Sequence, residues 1–202
     1  MSNRSSELQT PALLVAMPQV QDPFFHHSVV LLLHHSEEGS YGFIVNRPTG
    51  VRIADILEDM EIAWQGEPDA LALFGGPVQP QLGTVIFSLD EKTTSGGAQQ
   101  QDEHQTTEVL PGLGLSQNIS DLAQLAASPP DRFRLLLGYA GWSEGQLVTE
   151  IVRNDWLTSR VDADFLFSVS TDNLWSDALR AMGIDPGILP SWTPPKDDEE
   201  AN

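Results

Sequence analysis

The chain has 202 residues, 40% of them hydrophobic and 19% charged, which is the composition of an ordinary globular protein with one sizeable core. Its 29 acidic and 10 basic residues give a net charge of −19, and a surface so negative disfavours direct binding to nucleic acid, which is held mainly by Lys and Arg. Because there is no cysteine, disulfides, thiolate metal sites and thiol redox chemistry are excluded.

The first half of the chain is rich in predicted strands. Five apolar runs bounded by turn residues predict strands of a sheet. In chain order these runs are 12–17, 28–33, 41–45, 71–74 and 84–89. Between the third and fourth runs, the segment from Ile53 to Met60 places its apolar residues on one helical face and predicts a helix.

The second half opens with a polar segment at 90–108, which has almost no apolar residues and is expected to be a mobile loop. The elements predicted after it are a helix from Asn118, a strand at 133–138, a helix at 144–153, a strand at 164–169 and a helix from near Asp172. Asn118 has the residue type of an N-cap, and Ile119 falls on the face of its helix that we expect to be buried.

These elements predict an α+β fold, a single domain with a mixed sheet of about seven strands surrounded by about four helices. The domain is expected at 11–190, between a flexible N-terminus at 1–10 and an acidic disordered tail at 191–202. The longest apolar run is too short to span a bilayer and the N-terminus lacks the pattern of a signal peptide. We therefore expect a cytoplasmic protein that does not insert into a membrane.

The stretch GWSEG at 141–145 fits the G-x-S-x-G pattern in which serine hydrolases carry their nucleophile. In the α/β-hydrolase fold the catalytic histidine follows the serine, whereas all five histidines of this chain precede Ser143. A structural role fits better, because Ser143 and Gln146 have the spacing of a capping box, with Ser143 as N-cap of the helix at 144–153. The turn could also bind an anion at the helix N-terminus, although it lacks the lysine of a P-loop.

Two histidine pairs, His26-His27 and His34-His35, have the residue type of metal ligands. Neighbouring residues on a strand point to opposite faces, so these pairs make poor ligand sets. The sequence therefore predicts no metal site and no other cofactor.

Four turn motifs and a Trp-Leu pair resemble a known family when taken together. They are MPQVQDPFF at 17–25, VNRPTG at 45–50, FGGPV at 74–78, GYAGWSEGQL at 138–147 and Trp156-Leu157. In this order and spacing, over about residues 10–190, they are similar to the AlgH/YqgE family of bacterial proteins.

The resemblance implies a partly split sheet wrapped by helices and a regulatory role, since members are often described as transcriptional regulators and the family's name refers to control of alginate production. It implies no catalytic residue that can be carried over. Many members have a histidine where Phe87 lies here, and relatives often have Gly-Pro at positions 143 and 144, which does not suit a nucleophile at Ser143.

We therefore expect a regulatory or binding protein that acts through a protein partner or a small anionic ligand, without catalytic machinery of its own. The candidate binding surface is where the motif turns could converge, and Arg47 is its best anchor for an anionic ligand or a structural carboxylate. Its residues are Asn46, Arg47, Gly75, Gly76, Gly141, Trp142 and Gln146. Two alternatives stay open, a hydrolase that uses Ser143 or an Asp-activated water, and a direct DNA-binding regulator, which the net charge disfavours.

Overall fold

The computed structural model describes residues 8–89 and 106–189. Within these ranges the chain forms ten strands and five α-helices, against the seven strands and four helices predicted. The strands are β1 (Ala12–Ala16), β2 (Val29–Ser36), β3 (Gly39–Ile44), β4 (Pro48–Arg52), β5 (Leu71–Phe74), β6 (Val78–Ser88), β7 (Thr107–Leu110), β8 (Leu113–Ser116), β9 (Phe133–Ser143) and β10 (Trp156–Arg160). The helices are α1 (Ile53–Asp59), α2 (Ile119–Ala127), α3 (Gln146–Val152), α4 (Ala163–Ser168) and α5 (Leu174–Ala181), followed by a short 3-10 helix, Pro186–Ile188.

The strand β9 belongs to two sheets at once. Its C-terminal half pairs antiparallel with β3, from which the first sheet continues through β2 and β1 to β10. Its N-terminal half pairs antiparallel with β6, which leads to β8 and β7, and pairs in parallel with β5, which leads to β4. The result is the expected α+β arrangement with a mixed sheet, in which the β5–β9 pair is parallel and the other described pairs are antiparallel.

The strand β1 is buried along its whole length because both faces of its sheet are covered. Leu13 and Val15 pack on one face, in an apolar cluster that includes α5. Leu14 and Ala16 pack on the other face, in a cluster that includes two tryptophans. A strand buried on both faces needs a continuous apolar run rather than an alternating one, which is what the sequence shows here. A third cluster lies between α1, α2 and the β6–β9 pair.

The prediction of a strand at 164–169 was wrong, because this segment forms the helix α4. The side chain of Asp162 caps the helix by accepting hydrogen bonds from the backbone N–H groups of Asp164 and Phe165. A short apolar run fits a strand or a buried helix equally well, and here the capping residue before it was the better signal.

Four strands were missed in the sequence, namely β4, β7, β8 and β10. Each has only four or five residues and too few apolar positions to stand out from a turn. The strand β7 begins at Thr107, so the loop predicted at 90–108 ends earlier than expected. Residues 90–105 of that loop lie outside the described residues. The same holds for residues 1–7 of the predicted N-terminus and for the predicted tail at 191–202.

Candidate functional site

The family motifs meet at the loop between β1 and β2, residues 17–28, which we call the β1–β2 loop. Arg47 donates hydrogen bonds from its two Nη atoms to the backbone carbonyls of Pro23 and His26 in this loop. The carbonyl of Arg47 in turn accepts a hydrogen bond from the backbone N–H of Phe74 at 2.7 Å. Arg47 therefore binds backbone carbonyls in this structure, whereas the sequence suggested an anionic ligand or a carboxylate.

Asn46 holds the end of the same loop. Its Oδ1 accepts a hydrogen bond from the backbone N–H of Val29 at 2.8 Å, and its Nδ2 donates to the carbonyl of His27 at 3.0 Å. The amide thus pairs both of its ends with backbone groups, and it fixes the point where the β1–β2 loop enters β2.

The glycines that follow β5 join the two sheets. The backbone N–H of Gly75 donates to the carbonyl of Leu137 in β9 at 2.7 Å, and its carbonyl accepts from the N–H of Ile44 in β3 at 2.8 Å. Gly76 passes so close to β9 that a Cβ atom on it would lie 2.1 Å from the carbonyl carbon of Tyr139. Gly75 and Gly76 therefore allow the backbone after β5 to pass close to β9, next to the segment that carries Arg47.

Trp142 and Gln146 belong to a second group, centred on the carboxylate of Glu150 in α3. One carboxylate oxygen, Oε2, accepts hydrogen bonds from the indole Nε1 atoms of Trp142 and Trp156, at 2.8 Å each. The other, Oε1, accepts from Nε2 of Gln146 at 3.0 Å. The ring of Phe25 lies 6.0 Å from that of Trp142 and 5.7 Å from that of Trp156 between centroids, so the β1–β2 loop also contacts this group.

Six of the seven candidate residues are therefore brought together in two groups near the β1–β2 loop, with their polar atoms largely engaged. Gly141 is exposed and lies on β9 opposite Tyr41, outside both groups. A ligand-binding role for these residues stays a prediction. What the structure shows is that Asn46, Arg47 and Trp142 contact the β1–β2 loop.

Ser143 is not an N-cap, which corrects the interpretation of its motif. The strand β9 continues through the glycine-rich stretch and ends at Ser143, while α3 begins at Gln146 after Gly145, an N-cap with φ of 66°. Only the glutamine half of the capping box forms, since Oε1 of Gln146 accepts from the N–H and the hydroxyl of Ser143, both at 3.1 Å. An amide oxygen is not a base that could take the proton of a nucleophilic serine.

The histidine pairs make aromatic and hydrogen-bonding contacts. The rings of His26 and His27 stack with centroids 3.9 Å apart, and His27 stacks on Trp175 at 4.0 Å. Burial lowers the pKa of His27, and the nearby His26 and Arg47 lower it further. In the part of the chain that the structure describes, no group of three or more His, Asp or Glu side chains is placed to hold a metal ion.

A separate groove of about 220 Å³ opens between α1, α2 and the β6–β9 pair, and we call it the α1–α2 groove. Buried aliphatic side chains line its inside, namely Val85, Leu122 and Leu135. At its rim two apolar side chains remain accessible, Met60 with 39% of its surface exposed and Ile119 with 65%. The groove therefore combines an apolar interior with an apolar, solvent-exposed edge.

Sequence reasoning missed this groove for two reasons. Ile119 fitted the apolar face of α2 and was expected in the core, but as the first residue of the helix it lies at the surface. The segment Gln81–Gly83 lies before the predicted strand at 84–89, and in the structure it belongs to the irregular first half of β6, where the pairing with β9 shifts register. The spacing of Ile56 and Met60 was the available signal, since residues four apart share a helix face.

Replacing Arg47 with Ala is expected to lower the free energy of unfolding by about 2 kcal/mol, because two charge-assisted hydrogen bonds to the β1–β2 loop are lost. Urea unfolding measures the change, and proteolysis should cut the β1–β2 loop faster in the variant. Arg160→Ala is the control, since Arg160 is exposed at the end of β10 and has no ion pair with the described residues. Equal stability and equal cleavage in the two variants would contradict the clamping role.

The geometry defines an α+β domain in which two sheets share one strand, with turn motifs gathered at one loop and an apolar groove elsewhere. The chain belongs to the AlgH-like family, since the model of that family, DUF179, matches residues 13–187. This confirms the resemblance carried by the motifs.

Among its relatives are UPF0301 proteins of Myxococcus xanthus and Shewanella frigidimarina. The first is 39% identical over 180 residues, covering 89% of this chain and 93% of the relative. The second is 36% identical over 177 residues, covering 85% and 90%.

Two solved structures are similar. The solution structure of the AlgH protein from Pseudomonas aeruginosa has a TM-score of 0.69 at 32% identity, covering 96% of this chain and 98% of that one. The crystal structure of protein DIP2367 from Corynebacterium diphtheriae has a TM-score of 0.66 at 22% identity, covering 85% of each chain, and it shares the fold. Of the helices in the described ranges, none has the length and apolar character to cross a membrane.

Proposed function

We propose that this protein is a regulatory binding protein that acts through a protein partner, and that the α1–α2 groove receives apolar side chains of that partner. The observation that carries the proposal is the exposed pair Met60 and Ile119 at the rim of an apolar groove. Apolar surface left accessible beside a concave site is typical of surfaces that bind another molecule.

The size of the groove favours a protein partner over a small ligand. Pockets that enclose small molecules usually measure about 300–1,000 Å³ and bury most of the ligand. The α1–α2 groove is smaller, at about 220 Å³, and its apolar surface extends outward onto Ile119. Side chains inserted from a larger molecule would fill the groove and cover that extension at the same time.

The chemistry of the groove does not favour an anionic ligand. The polar residues that line it are Gln81, Ser116, Gln117 and Asn118, all of them uncharged. Two of these amides are already engaged, since Gln117 donates to the hydroxyl of Thr84 at 2.9 Å and Asn118 caps α2. An anion would therefore meet no positive charge among the lining residues to offset its desolvation.

A selection of displayed peptides tests the proposal. Peptides that bind the parent should carry closely spaced apolar residues, and they should bind the double variant Met60→Gln/Ile119→Gln about thirtyfold more weakly, because each substitution removes apolar contact worth roughly 1 kcal/mol. The matched control is Val148→Gln/Val152→Gln, which changes two exposed apolar residues of α3 instead. If no peptide can be selected, or if the selected peptides bind both double variants as tightly as the parent, the groove is not the binding site.

A further inference from the structure

We propose that Gly83 determines which partner the α1–α2 groove accepts, because the side chain that it lacks leaves a recess for one large apolar side chain of the partner, such as Leu, Met or Phe. This inference rests on the proposed function and names the chemistry of the partner's main contact. The strand β6 needs a glycine at this position neither for its backbone conformation nor for its packing.

Gly83 lies on the face of the sheet that forms the floor of the groove. In the register of β6 and β9 it lies opposite Leu137, and Val85 lies opposite Leu135. Residues two apart on a strand share one face of the sheet, as do residues directly opposite each other on neighbouring strands. All four of these residues line the groove. A side chain at position 83 would therefore project into the groove.

The backbone of β6 does not require glycine at position 83. The φ angle of Gly83 lies outside the left-handed region that favours glycine, and the residue of β6 that does lie there is Gln79, with φ of 48°. Among the described residues beyond its chain neighbours, a Cβ atom on Gly83 would meet only Cδ1 of Leu135, at 3.7 Å, which is an ordinary van der Waals contact. By contrast, a Cβ atom on Gly42 or Gly75 would lie 2.4 or 2.3 Å from a backbone carbonyl oxygen.

The missing side chain weakens the strand and leaves apolar surface open. A glycine inside a strand is disfavoured by its backbone entropy and offers no side chain to pack against the residue opposite. Here that residue is Leu137, which is partly buried and packs against the cluster between α1, α2 and the β6–β9 pair. Glycines inside strands often mark places where a ligand comes close to the backbone. A partner's side chain above Gly83 would supply the contact with Leu137 that residue 83 does not make.

The surroundings of the recess favour a single large apolar side chain. Val85 and Leu135 are buried beside it, while Met60 and Ile119 at the rim stay accessible. Because the polar lining residues are neutral and partly engaged, a charged side chain would lose its hydration without meeting an opposite charge. Along β6 the recess occupies the one position between Val85 and the polar Gln81, so it accommodates one side chain rather than a row.

A peptide selected on the parent protein tests the inference with Gly83→Ala and Gly83→Leu, and fluorescence anisotropy gives the affinities. Replacing the peptide's residues with Ala one at a time identifies its anchor, whose truncation is expected to weaken binding to the parent about thirtyfold. We expect Gly83→Leu to bind the full peptide about thirtyfold more weakly than the parent does, because the new side chain occupies the recess, and Gly83→Ala to show an intermediate loss. Truncating the anchor should then weaken binding to Gly83→Leu less than about threefold.

Urea unfolding of the same variants separates a binding role from a structural one. Both substitutions should leave the free energy of unfolding equal to or above that of the parent, because they remove a glycine from a strand and add apolar contact with Leu135. The matched control is Thr158→Leu, which adds the same side chain at an exposed position of β10. It should keep the parent's affinity and the parent's dependence on the anchor.

The outcomes separate this inference from the proposed function. If the peptide is sensitive to Met60→Gln/Ile119→Gln but binds Gly83→Leu as tightly as the parent, or if its anchor matters equally in both, Gly83 does not shape the contact and the groove remains the binding site. If both Gly83 variants unfold more easily than the parent, the fold itself requires the glycine and the inference is overturned. If the peptide binds Met60→Gln/Ile119→Gln as tightly as the parent, both proposals fail.

Discussion

A Gly76→Ala variant is expected to lose at least about 4 kcal/mol of stability, a large part of the total for a domain of this kind. A Cβ atom at this position would lie 2.1 Å from the carbonyl carbon of Tyr139 and 2.3 Å from the backbone nitrogen of Ala140. No side chain can rotate away to relieve this contact, because all of these atoms are backbone. The strand that would have to move is β9, which holds both sheets together.

Gly50→Ala is the control for this prediction. Both glycines have positive φ, 152° for Gly76 and 80° for Gly50, but a Cβ atom on Gly50 would meet no other atom within 4 Å. Its variant should show only the cost of an unfavourable backbone conformation, about 1–2 kcal/mol. Urea unfolding followed by circular dichroism measures both. If Gly76→Ala is as stable as Gly50→Ala, the approach of Gly76 to β9 is not as close as the structure shows.

Glu150→Ala is expected to cost about 3 kcal/mol, because it leaves two indole N–H groups without an acceptor. Trp142 and Trp156 are only 5% and 3% exposed, so water has little access to replace the lost carboxylate oxygen. Glu150→Gln keeps an acceptor oxygen but removes its charge, and we expect about half of that loss.

Thermal or urea unfolding, with near-ultraviolet circular dichroism to report on the packing of the tryptophans, measures these changes. Glu144→Ala removes an exposed acid in the turn between β9 and α3, and it should leave stability within about 0.5 kcal/mol of the parent. The shared carboxylate is not important for stability if Glu150→Ala behaves like that control.

The elements that could be predicted from sequence are those whose side chains alone decide the structure. The strands β1, β2 and β3 carry continuous apolar runs because both faces of their sheet are covered, and α5 has a clear apolar stripe. Three of the four missed strands, β4, β7 and β10, lie at the edges of the sheets, where pairing with a neighbour rather than burial maintains the strand. Such pairing links residues far apart in the chain, so a local sequence pattern does not predict these edge strands.

The contacts of the candidate site could not be predicted from the sequence. Asn46 and Arg47 were named as candidate binding residues, which stays a prediction; their hydrogen bonds go to backbone carbonyls and N–H groups, whose positions depend on the path of the β1–β2 loop. The groove was not predictable, because the exposure of Ile119 depends on where α2 lies relative to β6 and α1 rather than on its own periodicity.

The position of β9 late in the chain has a consequence for synthesis on the ribosome. β3 and β6 each need this strand as a neighbour, yet both are made long before residues 133–143. Until then a nascent chain carries strands whose N–H and C=O groups have no permanent partner, and such edges can pair with other chains. When β9 is made, it pairs with both β3 and β6. This one strand therefore covers two exposed strand edges at the same time, and the chain changes in one step from an aggregation-prone intermediate to one whose edges are paired.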